Sequence, residues 1–333
     1  MLFIDRHGEA AGAALNALAR ADYAARLENE LSAVYGKSVA ATSSVDAAIH
    51  TALRLCGVQS GDYVFVPTFT FYSYVATVAH TGAVPVFLDC DPTTRCVSAA
   101  ALETALMWAE LQGKPPAAVV ADNAFGSIAD FDVLAPLCKA WGAPLIELCC
   151  DAFGGDYNGR PCGGSGDYGV ICCDKRLTGG GGAVVCGEDR SEAWEFARVK
   201  YTAGENHDYR INNFDAALWL EQRAVSEKLT ARARKNLAAL ATSLDCVVPP
   251  TEGDAAVYAL CKAAGRIHEL RAAGFDVKKP PLVHAMPQYE QCHYFEHEPD
   301  YSACRAFDDC CLIGMDISAL ARLRLARMLK TRV

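Results

Sequence analysis

A chain of 333 residues, 52% hydrophobic and 21% charged, holds enough apolar material for one large domain and a smaller one, each with its own core. A formal charge of −9 and a pI near 5.4 argue against nucleic acid or an anionic membrane as partner, since those surfaces need clustered Lys and Arg, and no such cluster occurs. Asp5, Arg6 and Glu9 are charges too early for a secretory signal, and no run approaches the ~18 apolar residues of a membrane span, so a cytoplasmic location is expected.

Taken in chain order, residues 44–56 carry helical spacing and stop at Gly57, with Ser44 as a cap. Tyr63–Val66, closed by Pro67, and Val84–Leu88 read as buried strands on either side of a helix over about Phe71–His80, a βαβ unit. The alternation continues with a helix over about Ser98–Leu111, a strand at Ala117–Ala121, a helix over Phe131–Trp141 and a strand at Pro144–Cys149. The fold class is therefore α/β, with a largely parallel sheet covered by helices, whose ligands sit beyond the carboxyl ends of its strands. Residues 215–242 read as one long helix. The rest of the chain has shorter elements ending in Ile317–Leu329, a smaller α+β domain, so the division is 1–222 and 223–333. The segment from Lys278 to His293, stiffened by Pro280, Pro281 and Pro287, is expected to reach back toward the large domain's cleft.

Sixteen cysteines form no Cys-x-x-Cys pair, and several sit inside apolar runs, as in Val170-Ile-Cys-Cys173. They read as small buried hydrophobes. Neighbouring residues of a strand face opposite ways, so the doublets Cys149-Cys150 and Cys172-Cys173 make poor metal sites, and no metal is expected.

The stretch Pro144-Leu-Ile-Glu-Leu148-Cys-Cys-Asp151-Ala-Phe-Gly-Gly-Asp-Tyr-Asn-Gly-Arg160 resembles, without a gap, "PVIEDAAQAHGASYKGR" of the DegT/DnrJ/StrS family of sugar aminotransferases. Ser43-Ser44-Val45-Asp46 through Phe71, Gly82–Asp89, Phe125–Asp132 and Tyr209–Leu218 resemble further blocks of the same family, in order and at its spacing. The resemblance implies the fold-type-I aminotransferase fold, pyridoxal 5′-phosphate (PLP) as cofactor, a nucleotide-linked sugar as substrate and a homodimer with sites at the subunit interface.

PLP chemistry needs a lysine for a Schiff base, a carboxylate that keeps the pyridine nitrogen protonated, a stacked ring and a cradle for the phosphate. The resemblance puts the lysine at Lys175, the stacking aromatic at Phe71 and a loop histidine at His284. It puts Ser44 and Asp46 at the phosphate end, where the family carries Ser and Thr, and Asp208 where the family has an asparagine that contacts phosphate from the neighbouring subunit. Leu148 occupies the place of the ring-nitrogen aspartate, and Asp151 a glutamine position from which it could act as a displaced ring partner. A carboxylate beside a docked dianion costs on the order of 4 kcal/mol per close pair, more than one helix terminus returns.

These substitutions argue against PLP binding. The chain reads as a divergent member whose PLP contacts are lost, either carrying out PLP-independent sugar-nucleotide chemistry or serving as a non-catalytic partner subunit in a heterodimer with an active paralogue. The alternative is an active PLP-dependent aminotransferase of a nucleotide-linked keto-sugar using Lys175.

Overall fold

The structure, a computed structural model, describes residues 23–173, 180–187, 189–197, 208–251, 253–286, 289 and 301–330. Helix α1 (Tyr23–Tyr35) leads into β1 (Val39–Thr42), α2 (Val45–Leu55), β2 (Tyr63–Pro67), α3 (Tyr72–His80) and β3 (Val84–Leu88). The alternation continues through α4 (Ala99–Leu111), β4 (Ala118–Asp122), α5 (Phe131–Ala140) and β5 (Leu145–Cys149). A short hairpin, β6 (Asp156–Tyr157) and β7 (Arg160–Pro161), precedes β8 (Tyr168–Cys172), β9 (Gly182–Val185) and α6 (Ser191–Ala197).

Seven of these strands form one sheet in the order β1-β9-β8-β5-β4-β2-β3. The β3, β2, β4, β5 and β8 neighbours pair in parallel, whereas β9 runs antiparallel to both β8 and β1. Both faces are covered, which is why the strand sequences are apolar throughout rather than alternating. On one face Val120, Ile146, Leu148 and Val170 pack with Ile49 and Leu53 of α2 and Val75 and Val78 of α3. On the other, Val119, Leu145 and Ile171 pack with Leu27 and Leu31 of α1, Leu102 of α4 and Leu134 of α5. Nearly all the described cysteines are buried; among the doublets, Cys150 and Cys172 belong to the first face, Cys149 and Cys173 to the second.

Helix α7 (Asn213–Ala241) starts two residues earlier than its periodicity suggests, because the Asn212 side chain accepts a hydrogen bond from the Asp215 N–H and caps it. Residue 222 lies inside this continuous helix. Beyond it come β10 (Tyr258–Cys261), α8 (Ile267–Ala272), β11 (Val277–Lys278), α9 (Ser302–Arg305), β12 (Cys311–Gly314) and α10 (Ala319–Lys330). Strand β12 pairs antiparallel with both β10 and β11, and a third core joins Leu237 and Leu240 of α7 to Ile313 and Leu325.

Several contacts carry the C-terminal elements back to the large sheet, among them the Ala255 N–H donating to the Gly126 carbonyl and the Cys304 N–H donating to Asp89. Arg95 and Asp254 form a buried ion pair at 3.2 Å, and Arg234 of α7 donates to the carbonyls of Asp254 and Gly253. The segment after Lys278 returns to the strand ends as expected, with the Val283 N–H donating to the Thr68 carbonyl at 3.3 Å.

Candidate active site

The candidate site lies at the carboxyl ends of β1, β2, β4, β5 and β8. At the end of β1 the chain turns into α2. Ser44 has extended backbone (φ −156°, ψ 167°), and its hydroxyl accepts the Ala47 N–H at 3.0 Å, as an N-cap should. Asp46 sits in the first turn of that helix and is exposed to solvent. The start of β9 presses on the same turn: a Cβ on Gly182 would stand 2.6 Å from the Ser44 carbonyl oxygen, so the backbone must be bare there.

Phe71 follows β2 and precedes the first turn of α3. Its ring centroid is 4.8 Å from Phe125 and 5.5 Å from Tyr74. Phe125 also meets Phe69 at 4.9 Å and Tyr258 at 6.2 Å, so one aromatic residue joins elements of the large sheet to β10 of the C-terminal sheet. It does so with φ at +56°, and the next residue, Gly126, stands so near the Val257 backbone that a Cβ would approach its nitrogen to 2.9 Å.

Leu148 is fully buried in the apolar core at the end of β5. Its partner in register on β4 is Asp122, itself 2% exposed, whose carboxylate accepts a 2.6 Å hydrogen bond from the Thr70 hydroxyl. Asp151, three residues past Leu148, is also buried. Burial, together with Cys150 and the negative charges of Asp151 and Asp122, pushes the Tyr74 phenol well above its ordinary value, so both acids and Tyr74 share one neighbourhood. Lys278 of β11 hydrogen-bonds the Tyr258 hydroxyl; burial works against its charge, but Tyr258, Asp276 and Asp151 outweigh that and raise its pKa.

Asp208 does not present a bare carboxylate. Arg210 grips both of its oxygens, Nε to one at 2.7 Å and Nη2 to the other at 2.5 Å. His284 lies against Tyr301 with ring centroids 4.5 Å apart, and beside Cys304. The Cys304 thiol is lowered to about 6, first by a hydrogen bond from Cys90 and then by His284 and Thr68, against the opposing effect of burial. The Asp89 carboxylate accepts the N–H of both Cys90 and Cys304, which fixes the two cysteines side by side. Lys175 lies outside the described residues; its flanks, Cys173 and Gly180, stand at the end of β8 and just before β9.

Phe71, Leu148 and Asp151 are thus brought to one cluster of strand ends. Ser44 and Asp46 stand at the end of β1, and the Tyr209 N-terminal flank holding Asp208 reaches the same turn through the Ser43 N–H, which donates to the Tyr209 carbonyl. His284 instead belongs to the Cys90–Cys304 cluster near the β2 and β3 ends. Sequence reasoning missed Asp122, Thr70, Tyr74 and Arg210. Asp122 carried a usable signal, being the acid immediately after an apolar run read as a strand of a parallel sheet.

The family's sequence profile, described as the DegT/DnrJ/EryC1/StrS aminotransferase family, matches residues 9–279. The chain belongs to that family. The protein EpsN of Bacillus subtilis (strain 168) is 36% identical over 211 residues, covering 60% of this chain and 54% of its own length, so the chain spans about half of that relative. GDP-perosamine synthase of Escherichia coli O157:H7 is 26% identical over 300 residues, covering 82% and 80%. Among solved structures, a DegT DnrJ EryC1 StrS aminotransferase from Brucella abortus superposes with a TM-score of 0.83 over 99% of this chain and 98% of its own, at 22% identity, a likeness of fold. The fold class expected from the alternating elements is therefore the one observed.

Proposed function

We propose that this family member is an active PLP-dependent aminotransferase of a nucleotide-linked keto-sugar, rather than a scaffold that has lost its cofactor. The observation that carries this reading is the Asp208–Arg210 pair. An acid whose two oxygens are held by a guanidinium brings no net charge to a phosphate, and Asp46, exposed at the first turn of α2, meets bulk-like screening. The electrostatic case against a bound dianion, built on two bare carboxylates, loses its main support.

The residues fit PLP by the chemistry of their donors. The first turn of α2, capped by Ser44, would take the phosphate through backbone N–H groups. Phe71, packed on Phe125, would face the ring, and buried carboxylates lie at the ring end. When bound, PLP supplies an electron sink that labilises a proton next to the amino group in transit. Lys175 would bond the cofactor covalently and move that proton. Asp151 and the Tyr74 hydroxyl would orient the ring's polar edge, and Phe125 with Tyr258 would exclude water from it. A nucleotide-linked sugar is supported by the name of the Escherichia coli relative, a synthase of a GDP-linked product. The assembly proposed is a homodimer.

The test is spectroscopic. Purified full chain given PLP should turn yellow, lose that absorption on borohydride treatment, and carry the added mass on Lys175. A chain that stays colourless at saturating PLP would return the function to the divergent, PLP-independent reading that the fully buried Leu148 favours.

A further inference from the structure

Resting on the aminotransferase reading, we infer that Asp122 supplies the carboxylate for the pyridine nitrogen, placed one strand over from the position that Leu148 occupies. In a parallel sheet, residues in register on neighbouring strands point to the same face, and the strands lie about 4.8 Å apart. Asp122 and Leu148 are such a pair. The packing agrees with a common face: Val120, two residues before Asp122, and Ile146, two before Leu148, belong to the same core cluster. A carboxylate on β4 therefore projects beside the Leu148 side chain, at the same height along the sheet and at the strand end where the site lies.

The environment of Asp122 is that of a functional acid rather than a stray one. It is 2% exposed among apolar neighbours, where an ionised carboxylate is costly unless it has strong partners. The Thr70 hydroxyl donates to one oxygen at 2.6 Å, a short charge-assisted geometry. Thr70 immediately precedes Phe71, so this bond ties the acid to the residue that would stack on the ring. A protonated pyridine nitrogen would add a cationic donor to the same carboxylate, the partner that a buried anion gains most from. Asp151 is a weaker candidate for this atom. It lies beyond the end of β5, three residues past Leu148 and outside the β4–β5 register, and its position suits the ring's polar edge instead.

The inference also accounts for Leu148. An aspartate there would put two buried carboxylates about one strand spacing apart, a repulsion that would keep one of them protonated. With the acid on β4, the β5 position is free to be hydrocarbon, and leucine fills it.

The experiment uses full-length protein as native chain, Asp122→Asn, Asp151→Asn and the exchange Asp122→Leu with Leu148→Asp. Two quantities are measured: PLP affinity by absorbance titration, and the NMR shift of an isotope-labelled pyridine nitrogen, which reports its protonation and which a merely structural residue would not move. Thermal melting verifies folding. Asp122→Asn should weaken PLP binding by about tenfold or more, as expected for loss of one charged hydrogen bond, and should deprotonate the nitrogen at neutral pH. The exchange should restore protonation, which also keeps the test alive should Asp122→Asn fold poorly. Native-like affinity and a protonated nitrogen in Asp122→Asn overturn the assignment, and the same losses seen only in Asp151→Asn transfer it to that residue. If the native chain itself binds no PLP, the aminotransferase reading fails, and this assignment falls with it.

Discussion

At the residue scale, charge compensation bears on the proposed phosphate end of the site. The Asp208–Arg210 pair is partly exposed, so its contribution to stability is small, and the proposed function gives it its weight in binding instead. Arg210→Ala would leave a bare acid where the cofactor's dianion is proposed to dock, and PLP affinity should fall several-fold, more at low salt than at high; isothermal titration at two ionic strengths checks this. Cys304 offers a second residue-scale test. The hydrogen bond from Cys90 lowers its pKa below the ordinary thiol value of 9, so it contributes stability that is fully present above that value and is lost as pH falls through the lowered one. Ultraviolet thiolate absorbance of the native protein should therefore rise in a step below the ordinary thiol pKa, and that step should vanish in Cys304→Ser.

At the scale of elements, the turn after β4 concentrates strain and close approach. Phe125 adopts a left-handed conformation to reach Phe69, Phe71 and Tyr258 together, and Gly126, at φ +94°, lets the Val257 backbone come near. Gly126→Ala would add a Cβ against a backbone nitrogen that has no flexible end to yield. It should cost about 1–3 kcal/mol in urea unfolding and loosen the aromatic cluster around Phe71. The cap of α2 is a smaller case: Ser44→Ala should cost about 0.5–2 kcal/mol and weaken anion binding at the same turn.

For the whole molecule, one buried link between the sheet and the C-terminal elements is the pair of Arg95 and Asp254. Arg95 donates to Ser127 and to Asp254, and Asp254 also accepts from the Thr251 N–H and hydroxyl. Burial nevertheless raises the Asp254 pKa from its ordinary value, in spite of Thr251 and Arg95. A raised acid binds more protons in the native than in the unfolded state, so stability falls as pH rises from the ordinary carboxylate value through the native one. Arg95→Ala removes the compensating charge and should cost about 3 kcal/mol at neutral pH, with the loss shrinking as pH is lowered toward protonation of Asp254; denaturant unfolding across a pH series measures the difference.

How much of this could be read without a fold differs by feature. Strand and helix order, the buried cysteines and the Ser44 cap are local consequences of apolar spacing and short-range hydrogen bonds, and these are legible from the amino acids alone. So is the family, from blocks kept in order. The return of the segment after Lys278 to the large sheet is legible too, though not its contact with Thr68. The charge balance of the site is not. Asp208 reads as a bare acid because a side-chain pairing two residues along depends on an exposed turn's geometry. Asp122 goes unread because its meaning comes from register with Leu148 and from a hydrogen bond to Thr70, 52 residues away. The order of amino acids alone settles which segments are buried and in what succession. Which acids stand beside which partners is settled by the folded chain, because parallel pairing brings distant strands into register and burial makes each such neighbour count.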